Sequence, residues 1–102
     1  MIPRRRGRFA DLVARQLDLF AEDEAALVAE AEDAERAYDA AGRDDAEEAY
    51  GDFQTVVEAI ADALGDVKAT YAATLDDDTA EEYEAAFDRA AAKRFPLLRG
   101  RL

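Results

Sequence analysis

The sequence predicts an all-α fold: an antiparallel three-helix bundle built on a long, coiled-coil-like helical hairpin with a shorter third helix. Three observations lead there. Apolar residues recur at alternating steps of three and four over two long stretches, the spacing that keeps one stripe of a helix facing a partner. Alanine, the strongest helix former, fills 25 of the 102 positions, and the two prolines stand near the ends at Pro3 and Pro96. Turn signals at Gly42-Arg43-Asp44-Asp45 and at Asp76-Asp77-Asp78 divide the periodic stretches from one another.

Residues 1–8 read as a flexible basic arm. Pro3, Gly7 and the arginines Arg4, Arg5, Arg6 and Arg8 leave no apolar period there. Residues 9–102 form a single helical domain. The first helix is predicted over 9–41, with the seam Ala10, Val13, Leu17, Phe20, Glu24, Leu27, Ala31, Ala34, Tyr38 and Ala41, and with Phe9, Leu12, Leu19 and Val28 widening the stripe. Glu24 is the one carboxylate on that seam. A break near Glu22-Asp23, capping a separate helix, is the alternative. Gly42 suits a helix C-terminus, and Asp44 with Glu47, or Asp45 with Glu48, suits the next start.

The second helix is predicted over 45–75, with the seam Ala46, Tyr50, Phe53, Val57, Ile60, Leu64, Val67, Tyr71 and Thr74. Thr79 and Glu82 have the spacing of a capping box for a third helix over 79–95. This helix turns Tyr83, Phe87 and Ala90 inward and stops before Pro96, which disfavours helix in the residue preceding it. Leu97 and Leu98 in the tail, 96–102, are placed to fold back on the bundle.

A short turn makes the two long helices antiparallel. Pairing outward from it sets Tyr38 against Tyr50, Ala34 against Phe53, Ala31 against Val57, Leu27 against Ile60 and Phe20 against Val67. At ~1.5 Å per residue the long helices span roughly 45–50 Å and the third only about 25 Å. The third helix therefore covers the end away from Gly42, laying Tyr83 near Tyr71, and leaves a two-helix tip. Tyr38, Tyr50, Phe53 and Val56 are the candidate interface residues on that tip.

Absent atoms exclude several chemistries. The chain has no histidine, cysteine, serine, asparagine or tryptophan. Ser-His-Asp and Cys-His catalysis, Cys/His zinc sites and histidine-dependent di-iron sites are out of reach, and no cofactor is expected. Carboxylates cluster at Glu22-Asp23-Glu24, at 30–35 and at Asp76-Asp77-Asp78. Oxygen-rich clusters suit hard cations. However, Ala80 stands where a calcium loop starting at Asp76 needs its next ligand, so these read as solvated helix faces and caps, and no metal site is assigned. Glu24 reads as a partly exposed seam residue that pairs with Arg94 or Lys68.

The net charge of -12 is unevenly spread. Residues 1–10 and 93–102 are basic and contain no acid; all 25 carboxylates lie between them. The acidic body repels a nucleic-acid backbone, while Arg4, Arg5, Arg6 and Arg8 leave anion binding by the arm as a minor possibility. No run approaches the roughly 18 apolar residues of a membrane span, and no apolar run follows the arginines as in a signal peptide. Lack of cysteine suits a cytoplasmic location, and the arginine- and alanine-rich composition suits a bacterial source. The function expected is that of a non-enzymatic helical module that assembles through the hairpin tip, as a homodimer or with another helical protein. The alternative is an acidic bundle binding a divalent cation or a basic partner.

Overall fold

A computed structural model describes residues 7–99. Most of the arm expected over 1–8, and the end of the tail, lie outside the described residues. The chain is all-helical there, with four α-helices in place of the three expected: α1 (Ala10–Asp23), α2 (Ala25–Ala40), α3 (Ala46–Ala72) and α4 (Asp77–Arg94), followed by a 3-10 turn at Pro96–Leu98.

The continuous first helix predicted over 9–41 is therefore corrected to two, and the long hairpin shortens to α2 and α3. The break falls at Glu24, just past the alternative at Glu22-Asp23. Glu24 has φ -110° and ψ 30°, and its side chain caps neither helix. Its N–H still donates to Phe20 O at 2.8 Å, and its carbonyl accepts from Val28 N at 3.0 Å. The physical reason lies in the seam: a straight helix would press this carboxylate between helices, where an unpaired charge costs several kcal/mol, on the order of its desolvation. The break leaves Glu24 exposed. The expected pairing of Glu24 with Arg94 or Lys68 is also corrected. Arg94 Nη1 meets Asp18 at 2.7 Å, and Lys68 Nζ meets Asp88 at 2.9 Å.

Once broken, the chain distributes its helices differently. α2 lies along α3, whereas α1 makes its main helix-to-helix packing on α4, which also packs on α3. Leu19, expected on the apolar stripe, is 56% exposed as a result. Phe20 still shares a cleft with Val67, as the expected register has it.

Caps differ in detail. The α4 N-terminus is held by Asp76, whose carboxylate accepts the Thr79 N–H at 3.0 Å, so the N-cap lies three residues before the Thr79 expected. Hydrogen bonding from the Thr79 side chain, and then from its backbone N–H, holds the Asp76 carboxyl below its usual value. The α2 C-terminus ends with Ala41 extended at φ -67° and ψ 136°, and Gly42 itself does not adopt the left-handed conformation that favours glycine. Asp45 precedes α3 without a side-chain cap bond, so the box expected there does not form either.

The core is one cluster at the turn-distal end. Val13, Leu17 and Phe20 of α1, Val57, Ile60 and Leu64 of α3, and Tyr83, Phe87 and Ala91 of α4 meet there, closed by Phe9, Phe95 and Leu98. Leu98 is fully buried, as the tail reading expects, and Leu97 packs on the cluster. Rings lock it edge to face: Phe9 on Tyr83 at 5.5 Å, Phe20 on Phe95 at 5.9 Å, each worth ~0.5–1.5 kcal/mol beyond area burial. Tyr71 meets Tyr83 at 4.8 Å, the contact the register predicts. The Tyr83 hydroxyl donates to Gln16 Oε1 at 2.8 Å, and burial raises its pKa above the ordinary value. Among the described residues no charged side chain is buried and no buried side-chain polar atom lacks a partner.

Candidate functional site

Burial stops abruptly along the chain. From Glu32 to Val56 no side chain is buried, although α2 and α3 are regular there and pack on one another. Two helices alone bury each stripe on one side only, and α1 and α4 lie against the other end of α3. This tip is the candidate interface.

The four interface candidates hold different positions. Tyr38 near the end of α2 is 37% exposed and Tyr50 in the second turn of α3 is 41% exposed. Their rings meet at 5.2 Å, and Tyr38 stacks on Phe53 at 6.1 Å with an interplanar angle of 12°. Gln54 Nε2 donates to the Tyr50 hydroxyl at 2.9 Å, fixing that ring's outer edge. Phe53 and Val56 are half-buried and pack on the border of the core. The tip thus brings Tyr38, Tyr50 and Phe53 into one aromatic group, with Val56 a turn further down α3 where that group joins the core. A tyrosine pair of this kind offers large, stiff contact area with polar ends, the side-chain type enriched at protein interfaces.

A second feature of the tip is a groove of about 530 Å³ between α2 and α3, floored by Ala34, Ala37, Ala41 and Ala49. Its charged rim is entirely acidic: Asp33, Asp45, Glu48 and Asp52. Asp33 pairs with Arg36 on its own helix. Residues 30–52 carry ten carboxylates against Arg36 and Arg43, so the tip has a strongly negative field.

Another groove lies elsewhere, between α1 and α4. It encloses about 600 Å³, with Ala10, Ala14, Ala86 and Ala90 among its lining and only Arg89, Lys93 and Arg94 as charged residues. Sequence reasoning missed this surface. From sequence, Arg94 enters only as an expected partner of Glu24, whereas Arg89 and Lys93, four residues apart on α4 beside Ala86 and Ala90, form a cationic edge in a largely acidic body.

Among the described residues no three carboxylates come together to hold a cation. Asp76, the first residue of the acidic triplet, is engaged in capping. Arg8, the one arm arginine described, lies 3.7 Å from Glu82 and over the Phe9 ring. Among the described residues, no helix is long and apolar enough to cross a membrane. Comparison with protein-family models, with curated proteins and with solved structures finds no match to this chain.

Proposed function

We propose that the chain is a non-enzymatic helical assembly module whose recognition surface is the α2–α3 tip. One observation carries this reading: a stretch from Glu32 to Val56 without a buried side chain nonetheless gathers Tyr38, Tyr50 and Phe53 into a half-exposed aromatic group. A helical pair in water gains stability by covering such a stripe, and a self-associating or helical partner supplies the missing cover.

Size-exclusion chromatography with light scattering on the full chain tests it. The mass is expected to rise with protein concentration. Phe53→Asp is expected to return it to that of a monomer while the far-UV helix signal of the closed end persists. A wild-type chain that stays monomeric at every concentration would sink the reading.

The charge of the tip favours one version of the acidic alternative, a basic partner surface, over a cation site. Calorimetric titration with calcium, magnesium and manganese that yields binding heat would reverse that preference.

A further inference from the structure

The tip and the α1–α4 groove match one another in charge, in floor and in spacing. Resting on the tip-assembly reading, we infer that the tip of one copy docks head to tail into the α1–α4 groove of a second copy, the Glu48–Asp52 edge meeting the Arg89–Lys93 edge.

The first support is charge. Tip against tip would set ten carboxylates facing ten more, relieved by two arginines on each side; like charges brought together oppose association. Among the described residues the α1–α4 groove has no acid in its lining, and Arg89 and Lys93 form no ion pair. They are exposed cations in a chain of net charge -12, so the groove offers the acidic tip a charge match at the molecule's other end.

The second support is register. Glu48 and Asp52 are four residues apart on α3, and Arg89 and Lys93 are four apart on α4. Residues at this spacing sit one above the other, about 5–6 Å apart on one face. Two carboxylates can thus meet two cations with both helices unbent. The third support is the floors. Alanines line both, joined in the α1–α4 groove by Val13 and Leu17; small side chains let helix pairs approach closely, and a two-helix face laid on a two-helix face completes a four-helix arrangement.

Because the two surfaces differ, the contact is heterologous. After one contact the pair keeps one free tip and one free groove, so association continues into a ring or an open array rather than stopping at a two-fold dimer. Electrostatic contacts at a rim are screened by salt, with a Debye length of ~30 Å at 0.01 M falling to ~3 Å at 1 M.

Sedimentation equilibrium on the full chain tests this with two double variants at exposed positions, Arg89→Glu/Lys93→Glu in the groove and Glu48→Lys/Asp52→Lys on the tip, each first checked for wild-type helix content and melting. The wild type is expected to gain mass with concentration at low salt and to lose most of that gain at high salt. Each variant alone is expected to associate at least ~10-fold more weakly, and an equimolar mixture to regain association, because each variant then offers the surface the other complements. If Arg89→Glu/Lys93→Glu associates like the wild type while Phe53→Asp does not, the groove is not the partner and the head-to-tail mode is overturned with the tip reading intact. If the mixture stays monomeric, the pairing of these two edges is likewise overturned. A wild type monomeric at every concentration overturns both.

Discussion

The two ends of α3 are built from the same helix and end differently. Toward its C-terminus, Val57, Ile60 and Leu64 are fully buried in the core cluster they share with residues of α1, α4 and the Pro96–Leu98 turn. Toward its N-terminus, Tyr50 and Phe53 continue the same seam with α2 alone beside them. The seam's spacing does not change between the halves. What changes is the number of helices around it, and with it the use to which large side chains are put. At the closed end an aromatic ring stabilises the fold, and at the tip it is left with area to offer a partner. The break at Glu24 sharpens the contrast. It lets α1 turn away to α4 and leaves α2 as the lone cover of the tip.

The largest expected effect separates the two ends directly. Phe87→Ala empties a fully buried site and should cost ~3–5 kcal/mol, a large part of a small domain's stability. Phe53→Ala, on a half-buried ring, should cost roughly half as much or less. Denaturant unfolding of dilute protein measures both, and equal losses would erase the distinction between closed end and tip.

Next comes the break. Ala25 is the first residue of α2 and Ala29 lies one turn inside it. Proline is tolerated at a first helical position and costs ~3 kcal/mol or more in an interior. Ala29→Pro should therefore destabilise far more than Ala25→Pro. Comparable losses in thermal melts would mean a continuous first helix, and the tip would then be the end of a longer hairpin.

The smallest effect concerns the start of α4, which roofs the closed end. Asp76→Ala removes its cap and should lower the melting temperature slightly at neutral pH. The carboxyl is held below its ordinary value of 3.8 by the Thr79 bonds. Its contribution is therefore fully present above that value and is lost as pH falls through the lower, folded-state one. The difference in melting temperature between wild type and Asp76→Ala should be constant above about pH 5 and shrink in stronger acid. A difference that grew on acidification would contradict the cap assignment.

Much of this was legible from residue order, for reasons specific to it. Steps of three and four between apolar residues locate helix faces, so the buried Val57, Ile60, Leu64, Tyr83 and Phe87 and the Tyr38–Tyr50 and Tyr71–Tyr83 contacts follow from register alone. Glu24 was visible as the odd residue of its seam, but a single carboxylate has two outcomes, a paired charge or a bend, and only packing decides between them. Leu19 was misplaced by the same choice, since its face depends on whether α1 follows α3 or α4. The cap moved from Thr79 to Asp76 because either side chain can accept the bond, and Asp76 reaches it with one more turn of helix. The α1–α4 groove was illegible for a different reason. Ala10, Ala14, Ala86 and Ala90 come from distant stretches, and alanine carries no periodic signal of which neighbour it will face.

An open two-helix tip that closes on a partner copy has a signature in amide hydrogen exchange recorded at two protein concentrations. In dilute solution, amides between Glu32 and Val56 should exchange much faster than those around Leu64 and Phe87. At high concentration and low salt the tip amides should gain protection while those of the closed end stay as they were. Tip amides as slow as the closed end's in dilute solution, with no response to concentration, would contradict it.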